Sequence, residues 1–93
     1  MDNPNTEILS LFREYRALMD AAGTYPNDTD EVLERLFHRP AREILDRMMA
    51  LPCTCAADFA AKVIADTCEG GLLSDWETGD LWIEARDLTG YAA

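Results

Sequence analysis

The chain has 93 residues, 48% of them hydrophobic, and a formal net charge of -10 from 18 Asp and Glu against 8 Lys and Arg. That length suits one core, and the apolar share is enough to offset the conformational entropy of folding, which argues against a second domain and against wholesale disorder. The charge balance argues against binding nucleic acid directly through its phosphates, a mode that needs clustered Lys and Arg.

The first predicted element covers Thr6 to Ala22. Ile8, Leu11, Phe12, Tyr15, Leu18, Met19 and Ala22 recur there at spacings of three and four, while Arg13, Glu14, Arg16 and Asp20 take the opposite side. Such a period marks an amphipathic helix, with Asn5 or Thr6 as its cap and Gly23 as a left-handed terminator. Thr24 to Asn27 then forms a turn around Pro26. A second helix starts at Asp28 or Thr29, with Asp30 and Glu31 at the positive end of its dipole and Val32, Leu33, Leu36 and Phe37 as its buried stripe. Pro40 predicts a break or sharp kink around His38 to Pro40, after which Ile44, Leu45, Met48, Met49 and Leu51 continue the apolar face.

Pro52 ends that helix, and Thr54 or Cys55 begins the next. Its expected inward face is Phe59, Val63, Ile64 and Thr67, and the small residues Ala56, Ala57, Ala60, Ala61 and Ala65 allow close approach of a neighbouring helix; Gly70 and Gly71 stop it. Ser74-Asp75-Trp76-Glu77 matches a capping box for a last helix to about Leu88, although Gly79 leaves Thr78 as an alternative start. Trp82 and Ala85 are its inward residues, with Leu81 and Leu88 as further candidates and Gly90 as terminator. No alternating strand pattern or internal repeat is present. The expectation is an all-α fold, a compact bundle of four to five short helices forming one domain over residues 1–93.

The charge is uneven. Residues 48–93 hold eight acids against only Lys62 and Arg86. No apolar run approaches the roughly 20 residues that cross a bilayer, the N-terminus lacks the pattern of a secretory signal, and the odd count of 3 Cys fits a reducing compartment. A cytoplasmic protein without a membrane partner is expected.

Catalytic and metal readings are weakly supported. Cys53, Cys55, Cys68 and His38 supply zinc-type donors, but the chain has one Cys-x-Cys and no second closely spaced pair. His38 is the sole histidine, on an expected polar face beside Pro40, and the chain contains no Gly-x-Ser-x-Gly or comparable nucleophile motif for it to serve. Asp28-x-Asp30 opens like a calcium loop, yet Leu33 and Arg39 stand where the glycine and the bidentate Glu belong. No enzyme activity, no metal and no cofactor are expected.

The acidic run carries more. Asp66, Glu69, Asp75, Glu77, Asp80, Glu84 and Asp87 are spaced along the C-terminal half with Trp76 and Trp82 among them. Spaced carboxylates imitate duplex phosphates and steer toward a basic groove, and exposed aromatics add contact energy. The ordinary alternative is that these acids are the solvated side of the last helix. Asp66, Glu69, Asp75, Trp76, Glu77, Asp80, Glu84 and Asp87 are therefore the candidate partner-binding residues.

The stretch from Asp58 to Gly90, with Asp-Phe-Ala-Ala-Lys-Val-Ile-Ala-Asp, then Ser74 to Gly79, then Glu84 to Gly90, resembles small uncharacterised proteins of alphaproteobacterial prophages. The resemblance implies a setting in which small acidic proteins serve as inhibitors, including anti-CRISPR proteins that block DNA-binding or docking surfaces of Cas proteins. The expectation is a protein-binding inhibitor of that type acting on a basic partner. The alternative is a phage or host accessory module that binds a partner helix through an apolar groove at Met48, Met49 and Leu51.

Overall fold

The computed structural model describes residues 6–26, 29–68 and 70–91, and every regular element among them is helical. α1 spans Glu7–Thr24; α2 (Asp30–Leu33), a π-helical turn (Glu34–His38) and α3 (Arg39–Ala50) follow; then come α4 (Ala56–Asp66) and α5 (Asp80–Thr89). The expected small helical bundle is the fold observed.

α1 begins where its cap predicts. Thr6 is extended, and its hydroxyl accepts the Leu9 N–H at 3.1 Å. Its end differs from expectation, because Gly23 stays inside the helix and the chain leaves at Tyr25, whose N–H bonds to the Ala22 carbonyl. Thr29 caps α2, while Asn5, Asn27 and Asp28 lie outside the described residues.

Pro40 does not break the chain of turns. α2, the π turn and α3 run on as one helical rod over 30–50, with the Arg39 N–H bonded to the Glu34 carbonyl five residues back. The widened turn sits where a proline ring would otherwise press on the preceding turn, so the helix accommodates Pro40 at the expense of the one backbone hydrogen bond its missing N–H cannot make. Glu34 spans this turn, bonding Arg42 and lying 3.9 Å from His38.

The core joins Ile8, Leu11 and Tyr15 of α1 to Ala41 and Met48 of α3 and Ala61 and Ala65 of α4. α4 turns a different face inward from the one its bulkier residues suggest. Its buried stripe is Asp58, Ala61, Lys62 and Ala65, whereas Ile64 is exposed and Phe59 and Val63 are half-buried. Small side chains let α1 approach closely enough for the Tyr15 hydroxyl to reach the Ala65 carbonyl. Leu36 on the π turn is likewise exposed.

The last helix starts later than a capping box at Ser74 requires. Asp75 accepts the N–H groups of Glu77 and Thr78 and closes a separate turn, while Ser74 donates to Asp66 at 2.7 Å. Gly79 caps α5 with its backbone drawn tight: a Cβ there would sit 2.6 Å from the Asp75 carbonyl oxygen. Within α5, Leu81 is the fully buried residue; Trp82 is half-buried, its indole N–H bonded to the Ser74 carbonyl, and Leu88 faces solvent. Gly90 ends the helix in the left-handed region, as expected.

Candidate functional site

Two charged residues of α4, one helical turn apart, organise the centre of the molecule. Lys62, the one lysine in the chain, is 1% exposed. Its ammonium donates to the Leu51 carbonyl at 2.6 Å and to Glu84 of α5 at 2.5 Å. Glu84 also accepts the Cys53 N–H at 3.0 Å, and its other oxygen lies 3.4 Å from the Cys53 thiol. Burial alone would raise the Glu84 carboxyl, but the bonds from Lys62 and Cys53 outweigh it and hold it below its ordinary value. Asp58, fully buried, accepts the Thr6 hydroxyl from α1 and both the N–H and the hydroxyl of Thr54. Burial again pushes upward and the hydrogen bonds win, so Asp58 too is held low.

The arrangement links the start of α1, the α3–α4 connection, α4 and α5 through charge-assisted bonds. No buried side-chain nitrogen or oxygen among the described residues lacks a partner. The cluster therefore holds elements together instead of presenting a free base. Cys53 fits that role, because burial and the adjacent carboxylate raise its thiol to about 11, far from the thiolate a nucleophile requires. Cys55 is half-buried at the start of α4, Cys68 is exposed beyond its end, and His38 lies on the π turn. Among the described residues no three potential ligands converge on a metal position.

The structure divides the acidic residues chosen from the sequence into three kinds. Asp66, Asp75 and Glu84 are occupied: Asp66 by Ser74, Asp75 by the turn it closes, Glu84 by Lys62 and Cys53. Hydrogen bonds from the backbone of Thr78 and Glu77 keep the Asp75 carboxyl low. Glu77, Asp80 and Asp87 are exposed, and no described residue bonds their carboxylates. Glu69 lies outside the described residues.

Trp76 is half open to solvent and packs against Trp82 and Tyr91, with ring centroids 5.9 and 6.2 Å away. The Arg86 guanidinium lies 4.8 Å from its ring and donates to the Trp76 and Glu77 carbonyls. The one cation of this region is thus turned onto its own turn, leaving the outer surface to the carboxylates. Leu72, Leu73 and Tyr91 are exposed beside this cluster.

A groove of about 480 Å³ opens between the end of α3 and α5, with Met49, Leu51 and Pro52 on one wall and Ile83 and Leu88 on the other. Asp80, Glu84 and Asp87 of α5 line it as well. Met48, assigned to an apolar groove from sequence, is instead fully buried in the core; Met49 and Leu51 are the groove residues. Asp58 and Lys62 are the structural charges that sequence reasoning missed. Their i, i+4 spacing, in line with Ala61 and Ala65 on a helix with no other cation, was the available signal.

No helix among the described residues is long and apolar enough to cross a membrane. No family model, curated protein or solved structure matches the chain.

Proposed function

We propose that the chain is a stoichiometric protein-binding inhibitor of anti-CRISPR type, which occupies a basic nucleic-acid-binding or docking surface of its target with the segment 72–91. One observation carries this reading: the exposed apolar side chains Leu72, Leu73, Trp76, Leu88 and Tyr91 lie on the same segment as the exposed, uncommitted carboxylates Glu77, Asp80 and Asp87. Carboxylates in that state steer a basic partner at long range, and desolvated aromatic and aliphatic contacts supply the residence time. The buried ion pair supports the reading indirectly, since it fixes α5 and spares the exposed acids any structural duty.

The test is competition. Purified CRISPR effector complexes are mixed with labelled target DNA, and DNA binding is followed by fluorescence anisotropy as the protein is added. The proposal expects DNA to be displaced at stoichiometric protein and retained when Glu77→Lys, Asp80→Lys and Asp87→Lys are combined. Equal displacement by the native and charge-reversed chains would contradict it, as would no displacement from any complex.

A further inference from the structure

We propose that the groove between the end of α3 and α5 seats a basic amphipathic helix of the partner protein, an inference that rests on the protein-binding reading above and assigns it a site and a ligand form. The lining combines apolar side chains with acids of α5. Ile83 and Leu88 face Met49 and Leu51 across the groove, and Asp80 and Asp87 flank the α5 wall. Being seven residues apart, the two aspartates lie on one side of α5, about 10 Å from each other along its axis. An α-helix lying along α5 matches that period, setting apolar residues at i and i+4 into the groove and Lys or Arg seven residues apart, at i+1 and i+8, against the aspartates.

Charge decides among occupants. The net charge of -10 opposes a second copy at long range. Arg35 and Arg42 nevertheless stand seven residues apart on one helical stretch, so self-association of the peptide-free chain through residues 49–53 and 80–88 would overturn the assignment to a partner. An anionic small molecule would be repelled by the acids lining the groove. An added strand needs an open sheet edge, and the described residues contain no strand. Glu84 does not compete for the ligand's cations, because Lys62 and the Cys53 N–H already engage it. A helix with Lys or Arg flanking an apolar stripe satisfies both the apolar side chains and the aspartates.

The experiment uses the full chain, labelled with nitrogen-15, titrated with a synthetic 14-residue helical peptide carrying Leu at i and i+4 and Lys at i+1 and i+8. A scrambled peptide of equal composition and a Lys-to-Gln peptide serve as comparisons. The expected result is chemical-shift change concentrated on residues 49–53 and 80–88, with binding at least tenfold weaker for either comparison peptide. Leu88→Glu, at a position 58% exposed, should weaken binding at least tenfold, and Ile64→Glu, 40% exposed on α4 and outside both the groove and the segment 72–91, should leave it unchanged. No binding, equal binding of the scrambled peptide, or shifts centred on 72–76 and 91 would overturn the inference. Failure of the inference stays distinct from failure of the function: a target displaced from DNA equally well by Leu88→Glu but not by the charge-reversed chain removes the groove and leaves the inhibitor.

Discussion

Replacing Lys62 by Met keeps most of the side-chain volume and removes the ammonium. The Glu84 carboxylate then loses its 2.5 Å partner, and the Leu51 carbonyl loses its 2.6 Å donor. Breaking a buried pair on one side costs about 3–5 kcal/mol; with the Glu84 side chain 19% exposed, the lower end, about 3 kcal/mol, applies to Lys62→Met. Glu84→Leu is worse, because it strands an ammonium that is 1% exposed, and about 4 kcal/mol is expected. The double variant removes both charges and leaves two backbone groups short of a partner, the Leu51 carbonyl and the Cys53 N–H, for a loss of about 2 kcal/mol. The order of stability should therefore be native, double variant, Lys62→Met, Glu84→Leu. Against a total near 5–14 kcal/mol for a domain of this size, such losses are readily measured, and 3 kcal/mol lowers Tm by roughly 12–24 °C. Urea unfolding followed by far-ultraviolet circular dichroism and by tryptophan fluorescence gives each value. Losses that simply add, with the double variant the least stable of the set, would refute the idea of a buried pair whose members need each other.

Three further outcomes follow from the same geometry. Gly79→Ala places a Cβ 2.6 Å from the Asp75 carbonyl and 2.9 Å from the Ser74 hydroxyl oxygen, so the turn before α5 must shift, and a loss of about 1–3 kcal/mol is expected in the same urea assay. Asp58 and Glu84 are both held below their ordinary values, so their stabilisation is whole at neutral pH and drains as pH falls below about 4, through the unfolded values and on to the folded ones. Acid also relieves repulsion among the many other carboxylates, so the readout is a comparison: between pH 6 and 3 the native chain should lose more stability than Asp58→Asn. Thiol-directed alkylation at pH 8, followed by mass spectrometry of peptides, should label exposed Cys68 well before Cys53, whose thiol is raised to about 11; Cys53 reacting first would contradict the placement of Glu84.

Much of the fold was legible because its signals are local. Thr6 and the apolar repeat from Ile8 to Met19 announce α1, and Gly90 announces the end of α5. What escaped depends on neighbours far along the chain. Asp58 and Lys62 look like the polar side of α4 until Thr6, Thr54 and Glu84 arrive from three other segments to satisfy them. The inward face of α4 was read only in part for a related reason: Thr67 is buried and Ala61 and Ala65 admit α1 closely, as expected, but that close packing leaves the bulkier Ile64 exposed. Pro40 shows a local rule met in an unforeseen way, by widening one turn instead of ending the helix. Glu77 completes the spelling of a capping box, yet Asp75 is the better acceptor for the turn, and α5 waits for Gly79.

The candidate site was partly legible as well. Charge spacing singled out Glu77, Asp80 and Asp87, which stand exposed, together with Asp66, Asp75 and Glu84, which hold the structure. Nothing local separates the two groups. Glu84 and Asp87 are three residues apart on one helix, and only the position of Lys62 decides which is bound.

The measurement that tests the central claim most directly is the affinity for a displaced target across ionic strength, taken for the native chain and for the chain with Glu77→Lys, Asp80→Lys and Asp87→Lys. Exposed charges are screened over about 8–10 Å at ordinary salt, so the account predicts that native affinity falls steeply as salt rises, while the reversed chain binds at least tenfold more weakly at low salt and shows little salt dependence. Equal affinities with the same shallow dependence would contradict it.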